Sequence, residues 1–508
     1  MPGDLVIGID ASTTATKAIA WDRNGRALAE GRSPIPISNP NPGWWEQDPQ
    51  DWWSSTVKAL KDLLRQIDAG SVAALAISNQ RETFGVFDQE GRALRQGIVW
   101  LDQRSHAEVE RLVEEMGSER IHRISGKPAD VTPCLYRFLW LATHERETWR
   151  KASKVAEVHG FLTFKLTGEW ITSTASADPA GALDMERMEW SNDLLAAALT
   201  PRDKMLRLSR PGEIMGEITS LAAAETGLSP GTIVVAGGGD GQCAGTGTNA
   251  LAHGRAYANL GTAIVSGNFS ARYATGRAFR TMTAVAEAGY VYEAVLRTGT
   301  FLVNWFVQEL LGHDPRSVDI FNKLEKEAAA VPVGANGLIA VPYWGACMTP
   351  YWDDNARGII AGFSDSTKRA DVYRALLEGA ALELSMLTHR IVKESGEAID
   401  HYVAIGGGAA SDLWCQILAD ASGLAVNRLA TVEASSLGAG MAAAKGAGWY
   451  GSIAAAAQAM SGKPIACFEP DGVRSRRYRE LLAIYEDLWP TISAWNARLT
   501  RFARAGRQ

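Results

Sequence analysis

A chain of 508 residues, 46% hydrophobic and 21% charged, has the length for roughly three domains or two large ones and the composition of a globular protein with sizeable cores. Its net charge of -6 comes with no long basic run, which argues against nucleic acid as the main partner; the N-terminal apolar run Leu5 to Ile9 is too short for a signal peptide or a membrane span. The five cysteines are odd in number, widely spaced and without metal-ligand spacing, as suits reduced thiols in a cytoplasmic protein.

Taken in order, Leu5 to Asp10 reads as a buried strand ending in a carboxylate. Ala11 to Lys17 reads as a small polar turn, and Ala18 to Trp21 as the start of a second strand. A hairpin of this composition can aim backbone N–H groups and Thr hydroxyls at phosphates while Asp10 holds a hydrated Mg²⁺; it is equally compatible with an ordinary hairpin. Trp44 to Trp53 holds four of the 17 tryptophans. Asp48 is placed to cap a helix with Pro49 in its first turn, running to about Ile67, and the tryptophans read as packing anchors rather than sugar platforms.

Val72 to Ser78 and Ile98 to Trp100 read as strands. The first ends in Asn79-Gln80-Arg81-Glu82-Thr83, ahead of a hairpin turning at Asp88 to Gly91, and the second in Leu101-Asp102-Gln103-Arg104. Clusters of this kind suit a polyhydroxylated ligand, because Arg donates in a fork and carboxylates accept from adjacent hydroxyls; surface ion pairs would give the same pattern. Segments 105–125, 133–150 and 153–168 have helical periodicity, with short helices at Ser191 to Leu199 and Leu221 to Thr226.

Ile233 to Thr248, IVVAGGGDGQCAGTGT, runs from strand residues through three glycines to one acid, Asp240. A carboxylate just past the end of a strand sits where α/β sheets bind ligands, and glycines let a ligand approach the backbone. Asp240 therefore reads either as a catalytic base or as a turn aspartate. Gly254 to Ser266 repeats the strand, turn and strand theme around Leu260-Gly261-Thr262, which points to a duplicated nucleotide-binding fold with a cleft between its halves. Further on, 343–358 is too rich in Pro, Gly, Asp and Asn to be regular, and Ala370 to Lys393 is a strong helix. His401 to Ile405 feeds Gly406-Gly407-Gly408-Ala409 into a helix capped by Ser411 or Asp412, a suitable place for a phosphate or ribose. Glu433 to Gly446 is a small-residue helix made for close packing, and the chain from Arg474 is helical and charged.

The ordered motifs GIDASTTATKA, WWEQDPQDWW, SNQRETFGVFD, VWLDQR, GGGDGQ, NLGTA, TPYWDDNARG and GGGAASDLWCQILAD resemble the FGGY carbohydrate kinases, of the actin and sugar-kinase superfamily. The resemblance implies an α/β chain of two ribonuclease H-like domains flanking a deep cleft. Residues 1–252 would carry the sugar pocket, first phosphate hairpin and catalytic acid, and residues 253–508 the ATP site and C-terminal helices.

It also implies that Asp240 takes the proton from the attacking hydroxyl and that Asp10 is the Mg²⁺-linked acid. Thr13, Thr14 and Lys17 would line the first phosphate turn, Gly261, Thr262 and Gly299 the second, and Gly407, Gly408 and Ala409 the adenosine side of ATP. Arg81, Glu82, Trp100 and Asp102, with Asp240 and Gly241, would line the acceptor pocket.

The chain departs from the family pattern at Ser12, where Gly is usual; at Arg137, for Lys; at Thr132, near the pocket tyrosine of glycerol kinases; and at Ala346-Cys347-Met348, for a charged segment. The expected activity is ATP-dependent phosphorylation of a small sugar or polyol, first a ketopentose such as xylulose. Glycerol, erythritol or an autoinducer-type ligand are the alternatives within the family; a silent sugar sensor, an actin-like ATPase and a glycoside hydrolase are those outside it. No nucleic acid or membrane partner is expected, and a homodimer is left open.

Overall fold

The computed structural model describes residues 3–250, 252–430 and 433–505. The first of its two large sheets begins with an antiparallel meander of β1 (Leu5–Ala11), β2 (Ala15–Trp21) and β3 (Ala27–Pro34). β4 (Val72–Asn79) lies parallel to β1, and β6 (Ile233–Gly239) parallel to β4; β5 (Ile214–Glu217) closes the edge antiparallel.

The second sheet repeats that order. β7 (Gly254–Leu260), β8 (Ile264–Ser270) and β10 (Tyr290–Leu296) are antiparallel, extended by β9 (Arg280–Thr283). β11 (Ile399–Ile405) and β12 (Ala425–Leu429) follow in parallel, and β13 (Pro464–Phe468) is the antiparallel edge. Two sheets with the same order and strand senses are the expected ribonuclease H-like pair.

Register decides what the first sheet presents at its carboxyl edge. Asp10 and Gly238 both pair with Ser78, so the end of β1 lies level with the end of β6, from which Asp240 follows at once. The inner strands are buried on both faces, which is why they read as continuous apolar runs rather than alternating ones.

The helices follow from local signals. Asp48 accepts from Gln50 N and Pro49 opens α1 (Pro49–Leu64), whose Trp52 and Trp53 are buried anchors. α2 (Asp240–Gly247) follows β6 directly. α3 (Arg369–Ser395), α4 (Asp412–Ser422) and the long α6 (Gly472–Ala505) pack together behind the second sheet. α5 (Ala434–Gly446) follows β12 of the second sheet but lies on β1, β4 and α2 of the first. Its small residues allow this: a Cβ at Gly438 would fall 1.9 Å from the Cys243 carbonyl oxygen. Leu437 and Met441 are buried there with Val6, Trp21 and Val235, each such side chain worth roughly 1.5–3 kcal/mol.

Three expectations are corrected. The first hairpin turn is only Ser12–Thr14, because Ala11 and Ala15 to Lys17 are already in the strand ladder. Segment 153–168 is not one helix: Lys154–Glu157 is a strand paired with Phe84–Phe87, and the helix Val158–Thr167 begins where the Glu157 side chain accepts from Gly160 N. Segment 105–125 is two helices divided at Gly117, whose φ of 80° no helix accommodates. The lobe they belong to shares a continuous core with the second sheet, and Lys127 Nζ donates to the Thr281 carbonyl at 2.6 Å. Among the described residues no helix is long and apolar enough to cross a membrane.

Candidate active site

One cavity of about 460 Å³ lies between the carboxyl edge of the first sheet and the meander of the second. Arg81, Glu82, Trp100, Asp102, Asp240, Gly261 and Thr262, all singled out in the sequence, line it together. Asp240 occupies the first position of α2, and its side chain is 41% exposed, so an incoming group can reach it. Arg81 Nε lies 2.9 Å from Asp240 Oδ1, and Gly241 N donates to the same oxygen at 2.8 Å. Both contacts fall on Oδ1; Oδ2 takes neither.

Arg81 is held from its other side. Its Nη1 meets Glu293 at 2.8 and 3.0 Å, and Arg280 bridges Glu293, at 2.8 Å, to Glu82, at 2.6 Å. Tyr257 donates its hydroxyl to Glu293 at 3.0 Å. The row Asp240–Arg81–Glu293–Arg280–Glu82 thus alternates in sign across the two sheets. Burial works to raise the Glu293 carboxyl, but Arg81 and Arg280 prevail and hold it at about 2. Burial raises Glu82 against the pull of Arg280 and Arg81. Gly241 is glycine because a Cβ there would sit 3.0 Å from Glu293 Oε2 and 3.1 Å from Arg81 Nη2.

Asp102 is fully buried and engaged on both oxygens. It accepts from Trp45 N at 2.7 Å and from the backbone and guanidinium of Arg104, so it fixes the 99–104 loop. That loop carries Trp100, whose Nε1 donates to Thr13 Oγ1 at 2.9 Å and ties the acceptor side to the first turn. Buried Arg137 donates to the carbonyls of Val99, at 2.7 Å, and of cavity-lining Thr132.

The second turn lines the cavity at Gly261 and Thr262, whereas Asp10, Thr13, Thr14 and Lys17 of the first hairpin do not line it and reach it through the Trp100–Thr13 contact. Asp10 receives Ser78 Oγ at 3.2 Å; burial and then the like charge of Asp240 raise its carboxyl to about 7, against the pull of Ser78 and Lys17. Lys17 Nζ is paired with both oxygens of Glu433, at 2.6 and 2.7 Å. Thr14 is exposed at the tip of its turn. In the second turn, Gly299 N donates to Thr262 O at 2.7 Å and Thr300 N to Gly261 O at 2.8 Å. Gly407, Gly408 and Ala409 do not line the cavity. They follow β11, and Gly408 lies against the Leu260 carbonyl at the start of that turn.

Asp10 fits a Mg²⁺ link. It is a carboxylate in the field of a second carboxylate, Asp240, and its neighbouring ammonium, Lys17, is engaged by Glu433. A cation there would complete its shell with nucleotide oxygens and water, the usual manner of Mg²⁺ at phosphates.

Sequence reasoning missed Glu293, Arg280, Tyr257 and Arg297. The available signal was a glutamate inside the apolar strand Tyr290–Leu296 and an arginine in Arg280–Thr283: buried charges in strands require partners.

Residues 5–247 match the model of the FGGY family of carbohydrate kinases, N-terminal domain, and residues 243–447 match its C-terminal domain. The chain is 28% identical over 506 residues to a xylulose kinase of Bacillus subtilis, covering 98% of this chain and 99% of that one. It is 31% identical over 492 residues to a glycerol kinase of Citrifermentans bemidjiense, covering 93% and 96%. A ligand-bound xylulose kinase from Lactobacillus acidophilus superposes with a TM-score of 0.91 at 23% identity, covering 97% and 99%, a likeness of fold.

Proposed function

The chain belongs to the FGGY family of carbohydrate kinases, and we propose that its acceptor is a ketopentose such as xylulose, phosphorylated by ATP on a primary hydroxyl. The observation that carries this reading is the Asp240–Arg81 pair at 2.9 Å, standing in a cavity that also contains the second turn, Gly261 and Thr262. The ketopentose rests on the resemblance to xylulose kinases along nearly the whole chain.

Phosphoryl transfer passes through a loose transition state, so positioning and charge neutralisation dominate. Arg81 and Gly241 N hold Asp240 Oδ1 in place. Asp240 receives the acceptor hydroxyl, orients it and takes its proton late, a role worth about 10²–10⁴-fold. Thr13 and Thr14 in one turn and Gly261, Thr262 and Gly299 in the other receive the phosphates, with Gly407, Gly408 and Ala409 on the adenosine side. Asp10 would hold Mg²⁺, which when bound neutralises phosphate charge. Trp100 and the loop fixed by Asp102 wall the acceptor.

A coupled ADP-release screen against pentuloses, pentitols, tetritols, glycerol and hexoses tests the reading. Saturable release with a ketopentose as best acceptor is expected. A best acceptor of another class, or release that ignores every acceptor, would overturn it.

A further inference from the structure

A second, outer chamber of about 860 Å³ adjoins the acceptor cavity. Arg297, Gln103 and Gly345 line both, whereas Arg81, Glu82 and Asp240 line only the inner one. Arg297, directly after β10, therefore stands at the junction, away from the reacting end. The two chambers side by side leave more room than a three-carbon triol fills.

The surroundings of Arg297 differ from those of the other cavity arginines. Arg81 and Arg280 are buried on carboxylates at hydrogen-bond distance. Arg297 Nη2 has its carboxylate neighbours, Asp354 and Asp130, at 3.6 and 3.7 Å, and Nη1 reaches the Gly345 carbonyl only at 3.5 Å. These are electrostatic neighbours rather than well-made hydrogen bonds. The outer chamber sets Arg297 and Arg357 against Asp354 and Glu110, with Asp130 behind Arg297, which leaves no excess positive charge to favour an anion. A donor fork flanked by two acceptors is instead complementary to neighbouring hydroxyls, each of which both donates and accepts. Asp130 lines neither chamber; it stands buried behind Arg297, and its other oxygen accepts from Thr132 N at 2.8 Å and from the Thr132 hydroxyl, so it steadies the guanidinium from the protein side. Between the junction and Asp240 the wall includes Val131, Val265, Val295 and Met348, suited to the carbon chain.

We propose that Arg297 and Asp354, with Asp130 behind the guanidinium, form a distal subsite that binds the neutral hydroxylated end of an acceptor of five or more carbons and sets the enzyme's preference for chain length. This rests on the kinase reading of the inner cavity and adds the acceptor class.

The test compares wild type with Arg297→Met on glycerol, xylitol, D-xylulose and gluconate. Wild type is expected to prefer a neutral acceptor of five carbons over glycerol and gluconate. In the variant, KM for that acceptor should rise about 10–100-fold with kcat held within about threefold, while KM for glycerol and for ATP stays unchanged. Equal KM increases for glycerol and the five-carbon acceptor, no increase for either, or a wild-type preference for glycerol or gluconate would overturn the subsite. A wild-type preference for xylitol over D-xylulose, with the KM split intact, upholds the subsite and defeats the ketopentose assignment instead.

Discussion

The proposed acceptor end and the proposed nucleotide end of the cleft are built from different materials. At the acceptor end five charged side chains alternate in sign and are fixed by contacts of 2.6–3.0 Å, drawn from both sheets. At the nucleotide end the turns are short and ordered by backbone bonds such as Gly299 N to Thr262 O, with one ion pair, Lys17–Glu433, beside the first. The acceptor end holds Asp240, the proposed base, in one place before any ligand arrives, which suits a transfer whose rate depends on position. The nucleotide end offers backbone N–H groups and hydroxyls, which suits phosphates.

The contrast can be broken most severely at Glu293. Replacing it by Ala leaves Arg81 and Arg280 buried without their shared carboxylate, and removing one partner of a buried pair costs about 3–5 kcal/mol. Chemical denaturation of Glu293→Ala should show a loss of that order, with Glu293→Gln losing less. A variant as stable as wild type would mean that the charged row does not brace the site.

Gly299→Ala acts on the other end. A Cβ there would lie 2.4 Å from the Gly261 carbonyl oxygen, so the second turn must shift. We expect a stability cost of about 1–3 kcal/mol and a raised KM for ATP, with acceptor binding by calorimetry nearly unchanged. Equal weakening of acceptor and ATP would mean that the two ends are not separable.

Glu383 on α3 is a control away from both ends. It is fully buried and accepts from Tyr343 and Tyr485, the latter on α6. Burial raises its carboxyl from 4.5 to about 7 in spite of those bonds. The folded protein thus keeps a proton that the unfolded chain releases above about 4.5. Its contribution to stability is full below that pH and lost as pH rises toward 7, on the order of 3 kcal/mol. Glu383→Gln should remove that part of the pH slope in denaturation midpoints and leave acceptor and ATP KM unchanged. An unaltered slope would show that Glu383 is ionised in the folded state.

The same contrast governs what was legible in the sequence. The nucleotide end is local: strand, short turn and strand at Asp10 and again at Gly261 lie in contiguous residues, so pattern and resemblance both found them. Asp240 was legible for the same reason, as an acid at the end of an apolar strand. The small-residue helix was readable as a close-packing element, though not that it would lie on the other half's sheet. The acceptor end was half legible. Arg81 and Glu82 stand together in the chain, but their partners Arg280 and Glu293 are about 200 residues away and follow no motif. Long-range ion pairing leaves no periodicity to read. Asp102 was found as a cavity residue, but its engagement with Trp45 N and Arg104 depends on a loop fold that spacing does not encode. The strand Lys154–Glu157 was lost in a helical window because four residues cannot outweigh the pattern around them.

Asp240→Asn tests the central claim most directly, since it separates binding from transfer at one atom. Calorimetry should find acceptor and ATP binding nearly as in wild type, while kcat in the coupled assay falls by about 10²–10⁴-fold. Wild-type turnover in the variant, or loss of ATP binding along with turnover, would contradict the assignment of Asp240 as the base that receives the acceptor's proton.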